Sequence, residues 1–190
     1  MSQYRIIYAD PPWWHAGDPN KNAAAGKHYP LLKVEELSRL DVQSICKKPT
    51  VLFLWATCPR LPDALAVMKA WGFHFRGIPY IWIKTRQSDG KIIAGQGIKP
   101  TLVKPNAELV LGGTTNKQGR PLPLQTEAQG QIVLASRTRI HSEKPNEVRK
   151  RIEELCGDLP RVELFARQKS LGWDAWGNDI TSDVEVQWKK

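Results

Sequence analysis

The sequence has few cysteines, no long apolar run and no internal repeat, and each shortage removes a class of protein. Cys46, Cys58 and Cys156 are the three cysteines among 190 residues. An odd number without close pairing argues against a disulfide scaffold, and the spacing matches no structural zinc site. No metal ligand set is expected, and a reducing cytoplasm fits best. No apolar stretch approaches the roughly 18 residues of a membrane span, and Met1-Ser2-Gln3-Tyr4-Arg5 runs straight into a strand-like segment. A soluble, unprocessed protein with no membrane partner is therefore expected. No shift in composition marks a second domain, so residues 1–190, with 41% apolar content and eight tryptophans, are expected to form one domain around a substantial core. Acids are also scarce: 19 Asp and Glu face 28 Lys and Arg, and the net charge of +9 favours a polyanionic partner.

Short apolar or β-branched runs recur at Arg5 to Ala9, Val51 to Trp55, Ile78 to Ile83, Glu108 to Leu111, Ile132 to Leu134 and Val162 to Phe165, lengths that suit buried strands. Helical patterns lie between them. Leu61, Leu65, Met68 and Trp71 keep a 3-to-4 spacing after Pro62, and Val148, Ile152 and Leu155 do so after Pro145, with Cys156-Gly157 as the stop. Alternating strands and helices predict an α/β sheet with parallel members. Ala16 to His28 and Gly112 to Gln131 read as long loops, either binding segments or plain insertions.

The stretch Tyr8-Ala9-Asp10-Pro11-Pro12-Trp13-Trp14 carries the chemistry. A strand ending at Ala9 delivers Asp10 to the carboxyl edge of the sheet, where ligands collect. Pro11 and Pro12 lack N–H groups and fix φ, leaving a stiff loop with carbonyls free to accept. An amino group conjugated to an aromatic ring becomes nucleophilic when its two N–H bonds are held by acceptors. Asp10 could accept one and the Pro11 carbonyl the other, with Trp13 stacked on the ring. The competing reading is a strand-ending turn with core tryptophans. The preceding strand and the long loop that follows favour the catalytic one.

Asp10-Pro11-Pro12-Trp13 resembles the signature of the MT-A70 family, methyltransferases that use S-adenosylmethionine to methylate the N6 amine of adenine in DNA or RNA. Further stretches resemble that family's successive blocks: "HYPLLKVEEL" from His28, "LFLWAT" from Leu52, "AWGF" from Ala70, "IWIKT" from Ile81, "KPNAELVLGG" from Lys104, "SEKPNEVRKRIEEL" from Ser142, "RVELFAR" from Arg161 and "GWDAWGND" from Gly172. The resemblance implies a Rossmann-like methyltransferase sheet in permuted order, with the catalytic tetrad before the cofactor-binding strand.

It also implies roles. Asp10, Pro11, Pro12 and Trp13 form the catalytic loop, with Asp10 near the amino group of the cofactor's methionine portion. Trp14, Tyr29, Trp82 and Lys84 line the target-base pocket, although Trp82 reads equally well as a buried strand residue. Lys144 pairs with the cofactor carboxylate. Glu163, Leu164 and Phe165 pass under the cofactor, Phe165 packs on adenosine, and Arg167 reaches the ribose region. Asn178 and Asp179 bind the adenosine end, or else serve as turn residues after Gly177. Larger members have a segment before the tetrad strand that contacts the cofactor's adenine. Four residues precede Arg5 here, so adenine recognition is expected to rest on other groups or cofactor affinity to be modest, and "QKSLGW" lacks the His-Asn pair of the eukaryotic enzymes.

Adenine in a duplex hides its amine, so the base must be flipped out or single-stranded. Lys84, Arg86, Lys99, Lys104, Lys117, Arg120, Arg137, Arg139 and His141 surround the expected mouth and suit phosphates. Arg149-Lys150-Arg151 reads as a solvated helix face. Compact members of the family are bacterial or phage-borne and usually linked to DNA, which makes DNA the first expectation and RNA the second. A silent nucleic-acid-binding member, or methylation of a cytosine amine or a protein amide, are further alternatives. Monomer and homodimer both remain open.

Overall fold

The computed structural model describes residues 3–14, 31–95, 102–120, 122–126, 129–137 and 143–189. Seven strands form one sheet: β1 (Tyr4–Ala9), β2 (Cys46–Thr57), β3 (His74–Thr85), β4 (Ala107–Thr114), β5 (Ile132–Ser136), β6 (Arg161–Leu164) and β7 (Asp174–Trp176). The order is β5-β3-β4-β2-β1-β6-β7. β4 pairs antiparallel with β2 and β3, and the other pairings are parallel. This is the α/β sheet with parallel members that the alternating pattern predicts.

Both faces of the sheet are covered, which is why its central strands are apolar on both sides. Ile7, Ala9, Leu52, Leu54 and Ala56 face one layer, made by α1 (Val34–Ser38) and α2 (Leu61–Ala70). Pro62 sits in the first turn of α2, Val67 and Met68 are buried, and the Trp71 indole N–H, just past its end, donates to the Leu37 carbonyl at 2.7 Å. Tyr8, Phe53, Trp55, Tyr80 and Trp82 face the other layer, made by α3 (Asn146–Cys156) through Val148, Ile152 and Cys156. Gly157, at φ 72, ends α3 where a side chain would be strained. No helix of the described residues is long and apolar enough to cross a membrane.

The expected loop from Gly112 needs correction, because β4 continues through Gly112 and Gly113 to Thr114. These glycines fit a crowded strand. A Cβ on Gly113 would lie 2.9 Å from the Met68 sulfur, and one on Gly112 would lie 3.2 Å from the Pro79 ring. The loop Ala16 to His28 lies outside the described residues.

β1 occupies the decisive position. From it the chain passes to β2 on one side and later returns through β6 on the other, so the β1/β6 boundary is a topological switch point. The connections that leave β1 and β6 run to opposite sides there, and such a point is the usual seat of a ligand in open α/β sheets.

Candidate active site

β1 and β6 end side by side, with Ala9 opposite Leu164, and Asp10 is the first residue beyond β1. Its N–H still reaches the Leu164 carbonyl at 3.4 Å. The Pro11 carbonyl accepts the Trp13 N–H at 2.9 Å, and the Pro12 carbonyl accepts the Leu32 N–H at 2.8 Å, which ties the corner to the segment before α1. A carbonyl oxygen has two lone pairs, so Pro11 retains acceptor capacity beside the Asp10 carboxylate.

The two tryptophans part ways. Trp13 is 7% exposed and its indole N–H donates to the Trp55 carbonyl at 3.1 Å, so instead of offering the stacking face expected of it the ring anchors the corner in the core. Trp14 is 43% exposed, with the Lys33 ammonium 5.9 Å from its ring.

A chain of alternating charges runs along the sheet edge from the corner. Lys144, just before α3, lies 2.9 Å from Asp10 and 3.4 Å from Glu108, and Glu108 receives Lys84 at 2.5 Å. Lys144 also sits 5.5 Å from the Trp55 ring. The Lys144 side chain is 14% exposed and that of Asp10 28%, so water screens the two unequally. Burial pushes the Asp10 carboxyl up, and the pull of Lys144 does not cancel it. Burial also works against charge on Glu108, but Lys144 and Lys84 together more than offset it, and its carboxyl lies below the usual value. For Lys144 burial disfavours the ammonium, yet Asp10 and Glu108 outweigh it, and its pKa is raised. The lysine stays charged.

Glu163 is drawn to the α3 face of the sheet, where Arg149 binds it at 2.6 Å while lying over the Tyr8 ring at 5.6 Å. Burial raises Glu163 despite that partner. The solvated-face reading of Arg149-Lys150-Arg151 therefore holds for Lys150 alone. Arg151 donates to the Gly130 and Ile132 carbonyls at 2.6 and 3.2 Å. The cause is β6 and β5 lying beneath α3, where their unmet carboxylate and carbonyls need cationic donors.

Leu164 is buried and Phe165 follows it at φ 62, a left-handed backbone that costs a non-glycine residue about 1–2 kcal/mol. Its ring stacks on Trp71 at 6.4 Å and meets Trp176 edge-on at 5.3 Å. The next turn is pressed close: a Cβ on Gly177 would fall 2.0 Å from the Ala166 carbonyl oxygen. Asn178 and Asp179 are exposed in the turn after β7, and Arg167 is exposed beyond β6, where its charge lowers Asp10.

Trp82 is a buried strand residue whose indole N–H donates to the Ala135 carbonyl at 2.8 Å. Lys84 turns inward to Glu108, with its ammonium 5.0 Å from the Trp82 ring, so it is committed to the charge chain. Tyr29, Lys99, Arg139 and His141 lie outside the described residues. The structure thus brings Asp10, the diproline corner, Lys144, Lys84 and the end of β6 to one edge. Sequence reasoning missed Glu108 and Trp55. The signal for Glu108 was an acid heading an apolar strand; for Trp55, whose indole N–H donates to the Tyr8 hydroxyl at 2.6 Å, there was none beyond its size.

The family model described as MT-A70 matches residues 4–179. The Type II methyltransferase M.MunI of Mycoplasma is 31% identical over 97% of this chain and 81% of its own length. The human N(6)-adenosine-methyltransferase catalytic subunit METTL3 is 27% identical over 95% of this chain, which spans only 29% of that protein. An Arabidopsis MT-A70-like N(6)-adenosine-methyltransferase is 25% identical over 95% of the chain and 24% of its own length. With the switch-point acid, the diproline corner and the family match covering the whole sheet, the chain belongs to the MT-A70 family of S-adenosylmethionine-dependent adenine N6-methyltransferases.

Proposed function

We propose that the chain, as one methyltransferase domain, methylates the N6 amine of adenine in DNA, with the base flipped out or already single-stranded. The observation that carries this reading is the Asp10 carboxylate at the β1/β6 switch point beside a corner that offers acceptors and no proline N–H. The amine's lone pair is delocalised into the purine, so it attacks only when its N–H bonds are gripped and the nitrogen can pyramidalise. Asp10 takes one N–H and the Pro11 carbonyl the other, where positive charge develops on nitrogen. A preorganised contact of this kind is worth roughly a hundred- to a thousandfold in rate. Burial makes Asp10 a better proton acceptor than an ordinary aspartate. Trp14 offers an open indole face for the base, and Trp13 holds the corner in place from the core.

The residues fit the family's cofactor. A cation and an acid 2.9 Å apart at the strand ends match the carboxylate and ammonium of a methionine moiety, and the tight approach of Gly177 to Ala166 sets an exposed Asn-Asp pair beside the end of β6. Lys144 would hold the carboxylate and Asp10 the ammonium. Glu163 and Leu164 would underlie the cofactor, with Phe165 against adenosine, Arg167 near the ribose, and Asn178 and Asp179 on its hydroxyls. S-adenosylmethionine supplies a sulfonium methyl as the electrophile.

The net charge of +9 suits a polyanion of either kind, and DNA is favoured by the greater likeness to the Mycoplasma Type II methyltransferase, 31% identical and spanned over 81% of its length. A second reading, RNA, is favoured by the adenosine-directed names of the longer relatives. Incubation with labelled cofactor and mixed DNA and RNA oligonucleotides, followed by nucleoside analysis, decides. Label in N6-methyldeoxyadenosine supports the proposal, label in N6-methyladenosine moves the substrate to RNA, and label in a cytosine derivative overturns the base assignment.

A further inference from the structure

Beyond the ends of β3 and β5, a hollow of about 510 Å³ opens on the same edge as Asp10, lined by Arg86, Ile92, Ile93, Ala94, Gly95 and Arg137. Its wall is firmly built. The chain turns at Gly90 (φ 69) and runs back along β3: Ile92 bridges Thr85, the Arg86 N–H donates to the Lys91 carbonyl at 2.8 Å, and the Ile93 N–H donates to the Lys84 carbonyl at 3.0 Å. The Asn106 amide adds a bond to the Ile93 carbonyl at 3.1 Å. Gly95 then presses so close to Lys104 that a Cβ would lie 1.7 Å from its carbonyl oxygen.

The lining combines two guanidinium groups with an apolar surface. Among the described residues Arg86 pairs with Asp89 through two contacts, at 2.8 and 3.1 Å, on an exposed turn where water screens the pair and a phosphate can compete for the guanidinium. Arg137 is exposed where β5 ends. Ile92 is 57% exposed, so apolar surface faces water in the same lining as the two cations. Folding gains little from that arrangement, whereas a nucleotide satisfies both parts. Guanidinium forks match phosphate or the guanine edge, and the isoleucine meets a sugar or the face of a base.

The position also fits. Three strand intervals of about 4.8 Å separate β3 from β1 and four separate β5 from it, so the hollow lies about 14–19 Å along the edge from Asp10. A DNA strand rising about 3.4 Å per nucleotide, and more when unstacked, covers that distance in about four to six nucleotides or fewer. Building on the DNA-methyltransferase reading, we infer that the Arg86–Arg137 hollow binds a nucleotide flanking the target adenine, holding its phosphate and contributing to the choice of its base.

The test is fluorescence anisotropy with labelled duplexes of about 20 base pairs and their single strands, each of the four bases placed in turn at the positions flanking the target adenine, with S-adenosylhomocysteine present, from about 50 to about 200 mM salt. R86A/R137A is compared with R86K/R137K and with K47A/K69A, which removes the same charge at exposed positions on the opposite edge. R86A/R137A is expected to weaken binding roughly tenfold and to flatten the dependence of log affinity on log salt by about one to two. R86K/R137K keeps the salt slope and loses preference for the flanking base, and K47A/K69A changes affinity less than about twofold. Unchanged affinity and slope in R86A/R137A, or an equal loss in K47A/K69A, overturns the inference. The parent reading fails differently: a wild-type protein that neither binds nor methylates DNA removes the substrate, whereas a competent wild type indifferent to R86A/R137A removes only the flanking site.

Discussion

Replacing Glu108 by Gln removes one charge from the centre of the active-site chain and changes little in shape. Glu108 receives Lys84 at 2.5 Å and Lys144 at 3.4 Å, and its side chain is 12% exposed. Breaking a buried ion pair costs about 3–5 kcal/mol, because the partner charge stays behind without compensation. Here Lys144 keeps Asp10 at 2.9 Å and Lys84 keeps the Trp82 ring at 5.0 Å, so about 2–3 kcal/mol is expected. For a chain of this size that lowers Tm by about 5–10 °C. The pH dependence is the sharper test. The folded carboxyl of Glu108 lies below its unfolded value, so its stabilisation is fully present above the unfolded pKa of about 4.3 and is lost as pH falls through the folded one. Urea titrations of wild type and E108Q should differ at pH 7 and converge as the pH drops below about 4. A gap under about 0.5 kcal/mol at pH 7, or one that persists unchanged in acid, refutes the reasoning.

Three further outcomes follow from the same geometry. Arg149→Met keeps the stem over Tyr8 but leaves the Glu163 carboxylate buried alone, so denaturant unfolding should show a loss of about 3 kcal/mol; an unchanged midpoint contradicts the pairing. Gly177→Ala places a Cβ against the Ala166 carbonyl, which cannot yield as a side-chain tip would. S-adenosylhomocysteine affinity by calorimetry should fall as the Asn178-Asp179 turn is displaced, with about 1–3 kcal/mol of stability lost, and wild-type affinity speaks against the placement. Burial pushes the Cys46 thiol up to about 11 and that of Cys156 to about 12, and raises Cys58 too, but Cys58 alone of the three is exposed to a reagent. Iodoacetamide at pH 8 should therefore modify Cys58 alone in the native protein and all three after denaturation, as read by mass spectrometry; native labelling of Cys156 contradicts its burial.

The elements that were legible are those whose pattern reports their surroundings. β1 and the Val51 to Ala56 stretch of β2 are buried on both faces and read as apolar runs, β6 shows through its buried Val162 and Leu164, and α2 and α3 show stripes at helical spacing with proline at the start or glycine at the end. β7 was not legible: three residues on a sheet edge, one of them an exposed aspartate, give no period to read. α1 is a five-residue helix and equally silent. Gly112 and Gly113 read as loop because glycine usually breaks a strand, whereas here a neighbouring helix and a facing proline leave no space for a side chain. The corner itself was legible because proline acts locally. The charges around it were not, since Glu108 meets Lys144 only through the sheet order and Arg149 meets Glu163 only through the docking of α3.

The claim on which the account turns is that the Asp10 carboxylate grips the reacting amine. Single-turnover methyl transfer by Asp10→Asn, with folding followed by circular dichroism, tests it directly. A rate reduced roughly a hundred- to a thousandfold in a folded protein is the predicted result. A folded Asp10→Asn protein that transfers methyl at the wild-type rate contradicts it.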